Sequence, residues 1–140
     1  MDATVRWTGG LAFAATAGSG GTITLDATHE RGGGGPSPME AVLVALGGCT
    51  GMDVVSILEK MRAPLEALEI RVSGERAEEH PRVFTRIALE YIFTGAGLKA
   101  EQIQRAVELS QDRYCSVSAM LRKATELTYT WRIAGAAGAG

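Results

Sequence analysis

Thr4-Val5-Arg6-Trp7 alternates polar with apolar, Gly9-Gly10 marks a turn, and Leu11-Ala12-Phe13-Ala14 follows as a second short run. Gly18 to Gly21 supplies another turn before Thr22-Ile23-Thr24-Leu25-Asp26. Period-two alternation cut by glycine predicts an N-terminal β-meander of three strands. A loop from His29 to Pro38 then holds Gly32 to Gly35 and two prolines. Ser37 fits an N-cap, Pro38 a first helical position, and Glu40 the acid of a capping box.

From Pro38 the periodicity becomes helical and runs to about Arg62, where Pro64 stops it. Val42, Leu43, Leu46, Val54, Val55, Ile57, Leu58 and Met61 surround most of this helix with apolar side chains. A helix of that kind belongs at the centre of a molecule, buried on several sides. Leu65 to Arg76 alternates again, with Leu68, Ile70 and Val72 inward and Glu69, Arg71 and Ser73 outward. Val83 to Thr94 reads as a second long strand. Leu98 to Tyr114 is an amphipathic helix through Ile103, Ala106, Val107 and Leu109. A short helix over Ser116 to Ala124 and a last strand over Leu127 to Ile133 complete the order βββ-α-ββ-α-α-β. Clustered strands of this kind predict an α+β fold with antiparallel sheet. Residues 1–133 read as one domain, and the Ala/Gly tail, 134–140, as disordered.

Composition narrows the function classes. The chain has 140 residues, enough for one domain with a core, and 14 basic against 16 acidic side chains. A formal charge of −2 suggests neither a nucleic-acid surface nor a polybasic membrane patch. The apolar run from Met39 to Leu46 stops at Gly47-Gly48, short of the roughly 20 residues of a spanning helix. With no signal-peptide pattern at the N-terminus, the expectation is a cytoplasmic protein without membrane association. His29 and His80 show no metal-ligand spacing with the cysteines, so neither a metal nor another bound cofactor is expected. Gly32 to Gly35 lacks the Lys-Ser/Thr of a phosphate-binding loop.

Chemistry centres on Cys49 and Cys115, the two cysteines of the chain. In a reducing compartment they read as free, reactive or transiently paired, although buried cysteines also serve simply as packing. Gly47, Gly48 and Gly51 leave the helix bare around Cys49, either for a substrate or for a tight helix crossing. An apolar helix raises a thiol pKa, so a reactive Cys49 needs a cation from elsewhere in the fold. Arg31, beside the glycine loop, is one candidate and otherwise a solvated surface arginine. Cys115 stands close to the start of the last helix, where free amide hydrogens favour a thiolate; the alternative is a small residue filling a helix corner. Glu40 lies nine residues before Cys49, about 13 Å along one helix and on its opposite side. It either caps the helix or serves a site completed by a second chain.

Pro36-Ser37-Pro38-Met39-Glu40, Ala45-Leu46-Gly47-Gly48-Cys49-Thr50, Asp53-Val54-Val55-Ser56-Ile57-Leu58 and Tyr114-Cys115-Ser116-Val117-Ser118 together resemble the OsmC/Ohr family, on its OsmC-like branch. The resemblance runs from Val5 to Ile133. It implies an intertwined homodimer, with antiparallel sheets wrapped around long central helices and active sites at the subunit interface. It also implies reduction of organic hydroperoxides, with Cys49 peroxidatic, Cys115 resolving, Glu40 the acidic partner, and Arg31 or Arg6 in place of an arginine that the family takes from its first strands. An external thiol or dithiol would close the cycle. Two other readings remain: a non-catalytic dimer binding a small apolar ligand, and a slow redox sensor.

Overall fold

The computed structural model describes residues 1–27 and 34–135. The chain divides into two compact units, Met1–Val42 and Leu43–Gly140. In the first, β1 (Ala3–Gly9), β2 (Ala12–Ala17) and β3 (Thr22–Leu25) form an antiparallel sheet in the order β1-β2-β3. Gly9 and Gly10 take positive φ at the first hairpin tip, where the Trp7 indole N–H donates to the Gly10 carbonyl at 2.9 Å. A side chain at either position would be strained, which explains the sharp turn read from the sequence. The Asp26 carboxylate accepts from the N–H groups of Ala27 and Gly34, joining the two sides of the glycine loop.

Helix α1 (Pro38–Lys60) starts in the first unit and continues into the second. Its start is the expected capping box. The Ser37 N–H donates to Glu40 Oε1 at 2.9 Å, and the Glu40 N–H donates to Ser37 Oγ at 3.3 Å. The helix ends just before Arg62, which takes a left-handed φ of 56° ahead of Pro64. Leu46, Thr50, Val54 and Leu58, spaced by four, form its fully buried face.

By length and composition alone, this 23-residue helix is apolar enough to cross a membrane. The expectation that no stretch reaches that length is corrected here. It ended the apolar run at Gly47-Gly48, and the helix passes through both glycines because packing outweighs their weak helix propensity.

The second sheet has the order β4-β5-β6, from Ala67–Arg76, Phe84–Thr94 and Glu126–Ile133. Strands β4 and β5 pair antiparallel, with Ile70 opposite Tyr91. Side chains of β4 alternate as expected, Leu68, Ile70 and Val72 being partly buried between exposed neighbours. Central strand β5 buries Ile87, Leu89, Tyr91, Ile92 and Phe93. Strand β6 pairs with β5 in parallel, Leu127 opposite Ile87 and Trp131 opposite Tyr91, so this sheet is mixed and not wholly antiparallel. The helical connection between them explains the difference: it spans the sheet and returns the chain to the end from which β5 began. Tyr129 and Trp131 set their rings edge-on to Tyr91 and Phe93 at 6.5 Å.

That connection is α2 (Ala100–Leu109), a π-helical turn (Ser110–Tyr114) and α3 (Ser116–Leu121). Ile103, Ala106 and Val107 are the buried side of α2. The wide turn is closed by the Cys115 N–H donating to the Ser110 carbonyl, five residues back, at 2.8 Å. At the C-terminus the Ala134 N–H still bonds the Phe93 carbonyl at 2.7 Å. The remaining tail residues, 136–140, lie outside the described residues.

Candidate active site

Cys49 sits midway along α1 and is half-buried; Cys115 lies between the π-helical turn and α3 and is 2% exposed. Both are free thiols, and each lies within electrostatic reach of the other. Cys115 is the N-cap of α3, in extended geometry, and its sulfur accepts from the Ser118 N–H at 3.4 Å. Burial pushes the Cys115 thiol up. The Ser118 hydroxyl and N–H pull it back toward the thiolate, and Cys49 pushes it up again. The net direction is upward, so Cys115 rests as a thiol.

The three glycines beside Cys49 divide into two roles. A Cβ at Gly47 would lie 3.2 Å from Val72 Cγ2, and one at Gly51 would lie 3.1 Å from Ile70 Cδ1. Those two let α1 settle closely onto β4, the packing alternative, although against a strand and not a helix. Gly48 has nothing near its missing side chain and opens into a groove of about 700 Å³. Leu43, Val44, Met52, Val55, Leu68 and Ile70 give this groove apolar walls. Val44 and Met52 are 67% and 77% exposed, which is unusual for large apolar side chains on so apolar a helix.

A polar chain whose residues are scattered through the sequence crosses the core, with Thr50, Tyr91, Ser110 and Gln111 buried along its middle. Arg122 donates from Nη2 to Gln111 Oε1 and from Nη1 to the Gln111 carbonyl, both at 2.8 Å. Gln111 Nε2 donates to the Tyr91 hydroxyl at 2.7 Å. Tyr91 and Thr50 hydroxyls are 2.7 Å apart, as are those of Thr50 and Ser110, and Ser110 donates to Asp53 Oδ2 at 2.9 Å. A guanidinium only donates and a carboxylate only accepts, so the ends set the direction of every hydroxyl. Ser110 spends its proton on Asp53, so Thr50 donates to Ser110 and Tyr91 donates to Thr50. Burial pushes the Tyr91 phenol up against the lowering effect of Thr50 and Gln111, so it remains a donor. The chain grips the backbone on both sides of the pair: Thr50 follows Cys49, and the Ser110 carbonyl holds the Cys115 N–H.

The other expected site residues have different fates. Glu40 forms the α1 capping box and belongs to the first unit. Arg6 is an exposed residue of β1, and Arg31 lies outside the described residues. Sequence reasoning missed Tyr91, Ser110, Gln111 and Arg122. The available signals were a tyrosine inside an otherwise apolar strand and Ser-Gln on the line of the apolar stripe of α2.

The chain combines an α+β fold with one free thiol on a long glycine-interrupted helix and a second at the N-cap of α3. A family model described as OsmC-like protein matches residues 31–130, and the chain belongs to this family. It is 46% identical over 136 residues to Protein YhfA of Escherichia coli (strain K12), covering 97% of this chain and all of that protein. A crystal structure of a hypothetical protein from Aquifex aeolicus VF5 is 31% identical, with a TM-score of 0.84 and 94% of each chain covered. The organic hydroperoxide resistance protein OhrB of Bacillus subtilis shares the fold at a TM-score of 0.62 and 19% identity, over 94% of this chain and 96% of that one.

Proposed function

We propose that this protein is a cytoplasmic, homodimeric, thiol-dependent peroxidase that reduces organic hydroperoxides through a Cys49/Cys115 cycle. What supports the reading is a pair of free thiols close enough to influence each other, Cys49 half-buried and Cys115 buried. Family membership, and the organic hydroperoxide resistance named for the Bacillus neighbour, suggest the class of substrate. The Cys49 thiolate attacks one peroxide oxygen, the O–O bond breaks, and the alkoxide leaves as alcohol after taking a proton. Cys49 is then a sulfenic acid. Cys115 attacks that sulfur, water leaves, and a disulfide forms. An external thiol or dithiol reopens it, and no bound metal or organic cofactor takes part. Apolar surroundings at Gly48 and Met52 favour an organic peroxide over hydrogen peroxide. A second copy would cover the exposed Val44–Met52 face, and Glu40 and Arg31 would complete the site as acid and cation.

The apolar groove also supports a second reading, a non-catalytic dimer holding a small apolar ligand. Stopped-flow thiol loss on adding cumene hydroperoxide, followed by thiol counting, separates the two. The peroxidase loses both thiols per chain rapidly and regains them with dithiol. Loss no faster than for free cysteine leaves the ligand-binding reading.

A further inference from the structure

Ser118 is fully buried, and its hydroxyl has no hydrogen-bond partner among the described residues. An orphan hydroxyl in a protein interior is costly, and alanine would fill the same space without that cost. The Ser118 side chain nevertheless favours the Cys115 thiolate, although its hydroxyl makes no hydrogen bond to the thiol. The Ser118 N–H already donates to the same sulfur at 3.4 Å. A thiol is a poor acceptor, whereas a thiolate is a strong one. Ser118 therefore brings one bonded donor, its N–H, and one unpartnered donor, its hydroxyl, to an atom that accepts strongly only after losing its proton.

We propose that Ser118 is a catalytic hydrogen-bond donor to the Cys115 thiolate, its hydroxyl remaining unpartnered while Cys115 is a thiol and closing onto the sulfur when the proton leaves. The proposal rests on the peroxidase reading and identifies how the second sulfur is made competent. In the closing step the Cys115 thiolate attacks the Cys49 sulfenic acid, the S–S bond forms, and hydroxide leaves and takes a proton to become water. In the reopening step an external thiolate attacks the Cys49 sulfur, forms a mixed disulfide there, and expels Cys115 as thiolate. A better-stabilised leaving sulfur leaves faster, so Ser118 also directs the reductant to Cys49. The groups that bear on the Cys115 charge are Cys49 from α1, Tyr91 from β5 and Ser118 from α3.

The test uses the full chain. In a Cys49→Ser background, thiolate absorbance near 240 nm is followed against pH, with the Cys49→Ser/Cys115→Ser chain subtracted to remove tyrosine. Adding Ser118→Ala should move the Cys115 transition upward by about one pH unit, a roughly tenfold loss of thiolate below it. The melting temperature should stay level or rise. With both cysteines present, Ser118→Ala should slow disulfide closure about tenfold after one hydroperoxide addition, with the deficit in that step and not in the first oxidation. An unmoved transition overturns the proposal, as does equal slowing of both steps. If Cys49 in the parent chain ignores hydroperoxide, the peroxidase reading fails, and the titration still decides the role of Ser118.

Discussion

The segments carrying the two cysteines are built on opposite plans. Around Cys49 the chain is an apolar helix with glycines in place of side chains, and Gly48 opens onto the groove that Val44 and Met52 border. Around Cys115 the helix widens, its backbone N–H is tied to Ser110, and its sulfur is capped by Ser118. Cys49 is half-buried, whereas Cys115 is buried and held at both its backbone N–H and its sulfur. On the peroxidase reading, that difference matches Cys49 to the peroxide and Cys115 to the closing step.

The strongest way to break this comparison is to remove the Cys49 sulfur. Cys49→Ser should abolish hydroperoxide turnover, because a hydroxyl has no sulfenic state; a variant consuming peroxide at the parental rate would refute the assignment. Cys115→Ser should keep one oxidation event per chain and lose efficient recycling, read as a burst followed by a flat trace. Acidity sharpens the contrast next. Burial holds Cys115 above the ordinary thiol range, so its attacking form increases with pH throughout the neutral region. Below the Cys115 pKa, closure should slow about tenfold for each pH unit of acidification, and a pH-independent rate would mean that another step limits it.

Smaller effects test the scaffold. Tyr91→Phe removes a central hydroxyl and leaves the Gln111 donor with only its longer bond to Thr50, 3.3 Å. Denaturant titration should show a loss of about 1–3 kcal/mol, together with slower disulfide closure. Ser118→Ala should do the reverse, gaining up to about 1 kcal/mol of stability by deleting an orphan hydroxyl while impairing closure. A residue whose removal stabilises the fold and harms the chemistry is the signature of a functional compromise.

Element order, the capping box at Ser37 and Glu40, and the alternation of β4 were legible because each is written in neighbouring residues. The two thiols were legible for the same reason, as local motifs. Two features were not. The parallel pairing of β6 depends on where the helical connection returns, which no local period encodes. The polar chain draws on Thr50, Asp53, Tyr91, Ser110, Gln111 and Arg122, and each looks ordinary in its own segment. Cys49's glycines showed that something approaches closely, yet only three-dimensional packing separates Gly47 and Gly51, which meet β4, from Gly48, which faces open space.

The π-helical turn at Ser110–Tyr114 carries one more consequence. A wide turn amounts to one extra residue threaded into an α-helix, and each residue of α-helix rotates the chain by about 100°. Deleting a single residue there would restore ordinary winding and lose the five-residue hydrogen bond that ties the Cys115 N–H to Ser110. The anchoring of the Cys115 backbone therefore depends on one residue of chain length and not on the identity of either thiol.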